Sequence, residues 1–526
     1  MYPRVVRRRN KDGSVRSYLQ LVEAYRTAGK VRQKVIGGIG RLDVVRETGA
    51  LDSLIGSLAR YSERSWIEVE AEARLAWSKL YGPALVFRRL WEHLDVAREV
   101  GALGAQSEIR FSLDEAAFAL VLHRLVDPGS KRSTRQWLST VYRPQFDGLE
   151  LQHLYRTLDH LVRGKERLEE MLFARSRDLF SLAVDVVLFD TTLVHFQGRG
   201  PEGLATFGRP GDYPDCVKVL VGLVLTGDGF PVAHHVFPGN TADISAFREA
   251  LQDLRRRFRL RRVVVIGDRG MVSSDLMEEL ERDGVEYILG MRLRQSREVG
   301  AEVLARAGRY HEVADNLEVK EVRVGERRYI ICRNPEEEVR DAAVRSEIIE
   351  RTREDLKHKG PQSFIMPRGL RRFVKLVGGD LAVNEAAIER EARYDGKWVL
   401  KTNTDLPTAD AALAYKSLWQ VESAFREMKS GLEVRPVFVR TDDHVRGHLV
   451  VCFLALVLEA ILSRLLKDQK CTASCRQVMS DLEQMRAVRL DARGKAWLYR
   501  TELAGCAHEG FRAAGLRPPP HVQPLG

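Results

Sequence analysis

Two short apolar runs, each leading into an aspartate, constrain the fold of this chain more than any other feature. Val184 to Phe189, apolar except for Asp185, form the first run, which continues directly into Asp190. Val263 to Ile266 form the second, which Gly267 separates from Asp268. Short apolar runs bounded by polar residues are typical of buried strands. Because strand and helix patterns alternate from here to Gly290, the sequence predicts an α/β sheet with carboxylates at two strand ends.

Each of these aspartates also has an ordinary structural interpretation. Asp190 could cap the turn that follows it, and Asp268 could be a turn aspartate ahead of Arg269. A third carboxylate, Glu422, lies on a predicted helix far along the chain. Two strand-end aspartates and one helical glutamate together supply the oxygen ligands that a pair of Mg²⁺ ions requires.

The segment from Tyr415 to Arg440 is predicted to begin as an amphipathic helix that ends near Gly431. A seven-residue spacing along a continuous helix keeps side chains on one face, with a drift of about 20° per heptad. A lone Glu/Arg pair four residues apart is ordinarily a solvated surface pair. Here the two predicted strand-end aspartates, Asp190 and Asp268, favour a metal site that includes Glu422 instead of a surface pair. The residues that form or flank the predicted face are Tyr415, Trp419, Glu422, Arg426 and Lys429.

Charge and composition indicate a reducing compartment and an acidic partner. The net charge is +11, and residues 1–42 alone hold eleven Lys or Arg against Asp12 and Glu23. Such a basic segment is either a contact for phosphates or solvated surface. Six cysteines in 526 residues do not suggest a disulfide framework. With no apolar leader, and with Leu449 to Leu458 too short to span a bilayer, we expect a cytoplasmic protein without a membrane partner.

Changes of pattern along the chain predict six parts. The N-terminal part is expected to turn near Asp12-Gly13 and Gly29 as a small β-meander. The parts are a basic N-terminal β segment (1–65), a helical domain (66–180), the first part of an α/β core (181–296), a β-rich insertion (297–405), the second part of the core with the Glu422 helix (406–466), and a helical C-terminal tail (467–526). The helical domain has either a DNA-binding or a purely structural role.

Tyr415, Glu422 and Lys429, together with five other segments, resemble DDE transposases of bacterial insertion sequences, in the insertion-sequence-four superfamily. The three residues match its Y-x2-R-x3-E-x6-K signature, although Leu418 occupies the arginine position. The phosphate contact of that arginine would come from Arg426 or Lys416, or be absent. The other matching segments are FDTT (189–192), FPGNTAD (237–243), GDRGM (267–271), DGKWVLKTNT (395–404) and FREMKSGLEVRPVF (425–438).

This resemblance implies a fold and a reaction. The expected fold is α/β, with a ribonuclease-H-like catalytic core interrupted by a mostly β insertion, a small N-terminal β segment and a helical N-terminal domain. Asp190, Asp268 and Glu422 would be catalytic and hold two Mg²⁺ ions, for which Mn²⁺ is an expected substitute. The expected reaction is hydrolysis at the transposon end, through a hairpin intermediate or another route, followed by strand transfer. The implied DNA-binding residues are Tyr415, Trp419, Arg426 and Lys429.

The implied partner is double-stranded DNA, both transposon ends and target, bound by a homodimer in the synaptic complex. Trp419 would stack on a displaced base, or belong to the core. Two alternatives stay open for the whole chain. It could be a metal-dependent nuclease such as a resolvase on the same fold, which would cleave without strand transfer. It could also be an inactivated transposase that only binds DNA, although three intact carboxylates argue against this.

Overall fold

The structure of the chain is a computed structural model. It describes residues 2–9, 15–27, 30–59, 74–180, 186–207, 215–258, 264–269, 273–294, 296, 298–359, 371–377, 380–492 and 495–525. The strands in these ranges are β1 (Tyr2–Arg9), β2 (Val15–Thr27), β3 (Lys30–Arg41), β4 (Arg74–Leu80), β5 (Val186–His195), β6 (Lys218–Thr226), β7 (Pro231–Pro238), β8 (Val264–Gly267), β9 (Glu286–Gly290), β10 (His311–Ala314), β11 (Leu317–Val324), β12 (Arg327–Arg333), β13 (Val374–Val377), β14 (Asp380–Val383), β15 (Lys397–Thr402), β16 (Arg486–Ala492), β17 (Lys495–Arg500) and β18 (Val522–Leu525).

The α-helices of the same ranges alternate with these strands in the middle of the chain and cluster before it. They are α1 (Leu42–Glu47), α2 (Ala50–Ala59), α3 (Gly82–His93), α4 (Val96–Ala105), α5 (Leu113–Val126), α6 (Lys131–Trp137), α7 (Leu151–Phe180), α8 (Asp243–Phe258), α9 (Ser274–Arg282), α10 (Pro335–Lys359), α11 (Glu385–Ala392), α12 (Thr408–Lys416), α13 (Trp419–Arg426), α14 (Asp442–Asp468), α15 (Cys475–Glu483) and α16 (Ala507–Ala513).

The chain divides into two compact units. The first comprises residues 1–80, 484–504 and 517–526. It contains the antiparallel three-stranded sheet β1-β2-β3 and a four-stranded sheet in the order β18-β17-β16-β4. The turns predicted at Asp12-Gly13 and near Gly29 lie outside the described residues.

The four-stranded sheet corrects two predictions. Residues 467–526 are not a helical tail, because β16, β17 and β18 lie among the helices there, and β4 lies in the stretch predicted to be helical. In this sheet Arg486 pairs with Leu80, and the Arg500 side chain donates to the carbonyl of Pro519 at 2.8 Å. A strand whose partner lies some four hundred residues away leaves little trace in local periodicity, which explains why the pattern missed it.

The second unit, residues 81–483 and 505–516, contains a nine-stranded sheet in the order β10-β11-β12-β15-β9-β8-β5-β6-β7. The central strands β5, β8 and β9 run parallel, and the other neighbouring pairs are antiparallel. The strands predicted from Val184 and Val263 are confirmed as β5 and β8, although residues 184, 185 and 263 lie outside the described residues.

The segment predicted as a separate β-rich insertion extends the same sheet. Leu400 of β15 pairs with Gly290 of β9, so β10, β11, β12 and β15 continue the sheet at its β9 edge. Strands β13 and β14 form a small sheet of their own, and the longest element of the segment is the helix α10. Val299, Tyr329 and Val399 belong to a second apolar core beneath the added strands.

Burial explains the central elements of this unit. All nine residues of β6 are buried, as expected for an unbroken apolar run between two neighbouring strands. Helices α8 and α9 contribute Phe247 and Leu280 to the core formed with β5 to β9. Helix α14 is long and apolar enough to cross a bilayer, yet 72% of its most apolar window is buried inside the protein. It packs against α5, α7 and β7 as a core helix.

The predicted continuous helix from Tyr415 to Gly431 is wrong. Helix α12 ends at Lys416, a turn follows at Ser417 and Leu418, α13 begins at Trp419, and residues 427–431 form a π-helical turn. The Ser417 hydroxyl donates to the carbonyl of Ala414 at 2.6 Å, and this local bond competes with the helical ladder. The seven-residue spacing from Tyr415 to Glu422 and Lys429 is therefore not carried by one continuous α-helix.

Candidate active site

The register of two parallel strands brings the predicted aspartates together. Val186 of β5 pairs with Val264 of β8, and Leu188 pairs with Ile266. Continuing this register by two residues places Asp190 directly beside Asp268. Asp190 lies within β5, which continues along β6 to His195, so the prediction that this strand ends at Asp190 is wrong, whereas Asp268 directly follows the last residue of β8. Because neighbouring strands lie about 4.8 Å apart, the two carboxylates lie close together where β8 ends.

Helix α13 brings the third carboxylate close to these aspartates. It packs against β5 and β6, and its Gln420 side chain donates to the carbonyl of Gly227 at 3.0 Å. Glu422 lies two residues further along and is exposed. Its charge acts on Asp190, as does that of Asp268. The structure therefore groups all three predicted catalytic carboxylates.

The electrostatics of Asp190 follow from this grouping. The pKa of Asp190 is raised to about 7, chiefly by burial and further by the negative charges of Asp268, Glu422 and Asp243. The Thr191 N–H, which donates to Asp190 Oδ1 at 2.7 Å, opposes it by stabilising the ionised form. The protein thus confines negative charge around one partly buried carboxylate.

Asp243 is a fourth carboxylate that the sequence analysis did not assign to the site. It begins α8, and its Oδ1 accepts from the Thr191 hydroxyl at 2.9 Å. Its position in the FPGNTAD segment, at the start of a helix that follows a strand pair, was the available signal. The contact with Thr191 shows that this helix begins next to Asp190.

The donor set has the chemistry of a site for hard divalent cations, which prefer carboxylate oxygens. A bound cation would relieve the repulsion that raises the Asp190 pKa. Within the described ranges, no three His, Cys, Asp or Glu side chains are already grouped closely enough to hold a metal ion. The residues therefore fit such an ion in chemistry and location, while their side chains do not yet converge on one point.

A cleft of about 330 Å³ lies beside these carboxylates. Tyr415, Trp419, Asp268 and Glu422 line it, whereas Asp190, Arg426 and Lys429 do not. The cations Arg269 and Lys397 of this lining were not predicted as site residues, although both lie within the segments GDRGM and DGKWVLKTNT that were singled out in the sequence. The full lining comprises Asp268, Arg269, Gly290, Met291, Leu293, Lys397, Trp398, Val399, Tyr415, Lys416, Leu418, Trp419 and Glu422.

Three aromatic or apolar residues of this cleft have well-defined surroundings. The Tyr415 hydroxyl donates to Asp268 Oδ1 at 3.3 Å. The Trp419 side chain is 61% exposed, which excludes the core interpretation. Leu418, at the position of the signature arginine, is buried in the turn before α13.

The chain just after the π-helical turn is held by buried side chains from other helices. Arg124 of α5 donates to the carbonyls of Leu432 and Glu433 at 3.2 and 3.1 Å. His448 of α14 contacts the carbonyl of Val434 through Nε2 at 3.3 Å. A cation at the C-terminal end of a helix also interacts favourably with the helix dipole. These contacts fix the end of the segment that carries Glu422.

Residues 184–458 match the family described as the transposase DDE domain, which is just over half of the chain. The chain belongs to this family. The transposase also matches the IS1634 family transposase, N-terminal domain, over residues 3–72. A bacterial insertion-sequence DDE transposase is an enzyme of DNA cleavage and strand transfer, and Asp190, Asp268 and Glu422 all lie within the matched region. No match was found among proteins of curated function.

Among solved structures, the transposase is similar to a piggyBac transposase synaptic complex with hairpin DNA. The identity is 12% and the TM-score 0.37, over 76% of this chain and 79% of that one. A Mos1 transposase paired-end complex and a pre-cleavage Mos1 transpososome share 13% and 14% identity. Both have a TM-score of 0.15, each over 33% of this chain and over 57% and 58% of theirs. These scores are too low to carry a structural assignment.

Proposed function

We propose that this transposase cleaves the ends of an insertion sequence and joins them to target DNA at a site formed by Asp190, Asp268 and Glu422. The observation that supports this site best is the β5–β8 register, which, extended by two residues, aligns Asp190 with Asp268. The packing of α13 on β5 adds Glu422, and burial together with the negative charges of Asp268 and Glu422 raises the pKa of Asp190. Perturbed carboxylates of this kind concentrate at functional sites.

These three carboxylates would hold two Mg²⁺ ions, with Mn²⁺ as a substitute. When bound, such ions activate the attacking oxygen and stabilise the leaving oxygen of a phosphodiester. The role of the protein is to place the three ligands close together, beside the central strands β5 and β8. Because the three side chains do not yet converge on one point, we expect them to rotate inward when the ions bind.

The remaining predicted residues would bind DNA. Trp419 is exposed at the rim of the cleft and presents an aromatic face on which a base can stack. Arg426 and Lys429 lie further along the same segment, outside the cleft lining, and are suited to phosphates beyond the scissile bond. The basic residues 1–42 would add sequence-independent affinity for the transposon ends.

Several features of the enzyme follow from the same proposal. The order β7-β6-β5-β8-β9, with a parallel centre and an antiparallel edge, supports a ribonuclease-H-like core. Residues 297–405 would be its β-rich insertion, and the helices α3 to α7 would form a helical part that contacts DNA. The enzyme would act in the cytoplasm as a homodimer that pairs two transposon ends. Its place in the insertion-sequence-four superfamily is part of the proposal.

The test is cleavage of a DNA fragment that carries the native flanks of the gene. Asp190→Asn, Asp268→Asn and Glu422→Gln should each lower the cleavage rate by roughly a thousandfold, because each removes a ligand charge. DNA binding should stay within a few-fold of wild type, since it depends on Lys and Arg contacts.

Glu278→Gln is the matched control, because Glu278 is also a helical glutamate with an accessible side chain but lies on α9. It should cleave at the wild-type rate. Cleavage by Glu422→Gln within a few-fold of wild type would refute the proposed site. Cleavage without joined products would identify a nuclease rather than an active transposase.

A further inference from the structure

Gly290, the last residue of β9, lies where Tyr415 and the Asp268 segment meet. A Cβ atom at position 290 would lie 2.2 Å from Tyr415 Oη and 3.0 Å from Tyr415 Cζ. It would also lie 3.3 Å from the backbone nitrogen of Arg269. Real Cβ atoms do not approach other atoms to 2.2 Å, so this arrangement requires a residue without a side chain.

The requirement is one of space rather than of backbone conformation. Gly290 is not among the described glycines with a positive φ. It pairs with Leu400 in the antiparallel β9–β15 ladder, so an alanine could adopt the same backbone. What an alanine could not do is leave the Tyr415 hydroxyl in its present place. Gly290 therefore matters through its contact with Tyr415.

Tyr415 reaches through this space to Asp268. Its hydroxyl donates to Asp268 Oδ1 at 3.3 Å. A phenol is protonated at neutral pH, so the Tyr415 hydroxyl is the donor to this carboxylate. With Oδ1 engaged by the phenol, Oδ2 of Asp268 is the oxygen suited to a ligand.

We propose that Gly290 and Tyr415 are positioning residues for Asp268: the glycine leaves the space through which the Tyr415 hydroxyl reaches and orients the carboxylate. This inference rests on the proposed function of Asp268. It gives Tyr415 a different role from the DNA contact that the signature implies. Hydrogen-bond partners of metal-binding carboxylates orient the ligands and commonly contribute about 10–100-fold to affinity or activity.

The test uses Gly290→Ala, Tyr415→Phe and the double variant. Each single variant should lower the kcat of cleavage by about 10–100-fold, leave the KM for DNA unchanged, and raise the Mg²⁺ concentration needed for half-maximal rate. The double variant should be no slower than the slower single variant, because both changes remove the same hydrogen bond. A rise in KM with an unchanged kcat would indicate a phosphate contact and overturn the inference.

A second readout needs neither metal nor DNA. Gly290→Ala should lower the Tm by about 2–5 °C, because the new methyl group meets the tyrosine hydroxyl. In the Tyr415→Phe background the same change should cost clearly less, since the closest atom is gone. Gly101→Ala is the control, because a Cβ at this helical position would meet nothing within 4 Å. Equal costs in both backgrounds would refute the coupling.

The two proposals fail separately. If Asp268→Asn cleaves normally, the proposed active site is wrong. If Asp268→Asn is inactive while Tyr415→Phe has wild-type kcat, KM and Mg²⁺ dependence, only the positioning role is wrong. If the losses in Gly290→Ala and Tyr415→Phe multiply in the double variant, the two residues act independently and the inference is also wrong.

Discussion

Glu169 and Asp190 are carboxylates of the same unit, and their surroundings are opposite. Glu169 on α7 is 1% exposed, and its Oε2 lies 2.9 Å from Lys165 Nζ and 2.8 Å from Arg257 Nη1. Its Oε1 lies 2.8 Å from His234 Nδ1. Burial alone would raise the pKa of Glu169, but these partners together hold it well below its ordinary value.

Asp190 has carboxylates where Glu169 has cations. The charged side chains that act on it are Asp268, Glu422 and Asp243. Its pKa is raised to about 7, with burial as the largest cause. A carboxylate that serves the fold is neutralised by the cations of the protein itself. One that lacks such partners costs stability unless a ligand supplies the positive charge. The difference between these two environments separates a structural ion pair from a candidate metal site.

The largest expected effect is on stability. Glu169→Gln should cost about 3–5 kcal/mol, because it removes the acceptor charge that the buried Arg257 side chain shares with the partly exposed Lys165. Asp190→Asn should cost nothing at pH 8, or stabilise the metal-free protein, because it removes a repelled charge while the amide oxygen can still accept from Thr191. Denaturant unfolding measures both. An equal loss of unfolding free energy in the two variants would show that the two carboxylates do not differ in their contribution to stability.

The second effect is on the pH dependence of stability. The Asp190 pKa rises from an ordinary value of 3.8 to about 7, so the folded protein holds a proton that the unfolded chain releases. Its contribution to stability therefore falls as the pH rises from about 4 to about 7, by at most about 1.4 kcal/mol per pH unit, and is constant above.

Glu459 complicates the raw pH profile, because burial and the nearby Glu427 also raise its pKa to about 7. The informative quantity is the difference in unfolding free energy between wild type and Asp190→Asn, measured from pH 4 to pH 8. We expect the stability advantage of the Asp190→Asn variant over wild type to grow across this range. Parallel curves would show that Asp190 is ionised at every pH in the window.

Much of the site could be predicted from local patterns. The apolar runs before Asp190 and Asp268 are continuous because β5 and β8 are buried there on both faces, and this burial leaves a direct mark on the sequence. Helices α8 and α9 form from local sequence patterns in the same way. Where the surroundings of a residue are set by its own strand or helix, the periodicity of the sequence is sufficient to predict its position.

The remaining features depend on distant contacts. The turn at Leu418 interrupts a heptad that is regular in sequence, because the leucine is buried by other parts of the unit. The role of Gly290 depends on Tyr415, which reaches it from a helix more than a hundred residues later. The Asp243 contact with Thr191 depends on how α8 packs on the sheet. No local sequence pattern records contacts between residues that lie so far apart along the chain.

Mn²⁺ binding, followed by the loss of the free-ion electron paramagnetic resonance signal at pH 8, tests the central claim most directly. Wild-type protein should bind about two ions in a saturable manner. Asp190→Asn should bind at least about tenfold more weakly. Asp283→Asn, which changes an exposed carboxylate at the C-terminal end of α9, should match wild type. Identical isotherms for wild type and Asp190→Asn would contradict the claim that these carboxylates form one divalent-cation site.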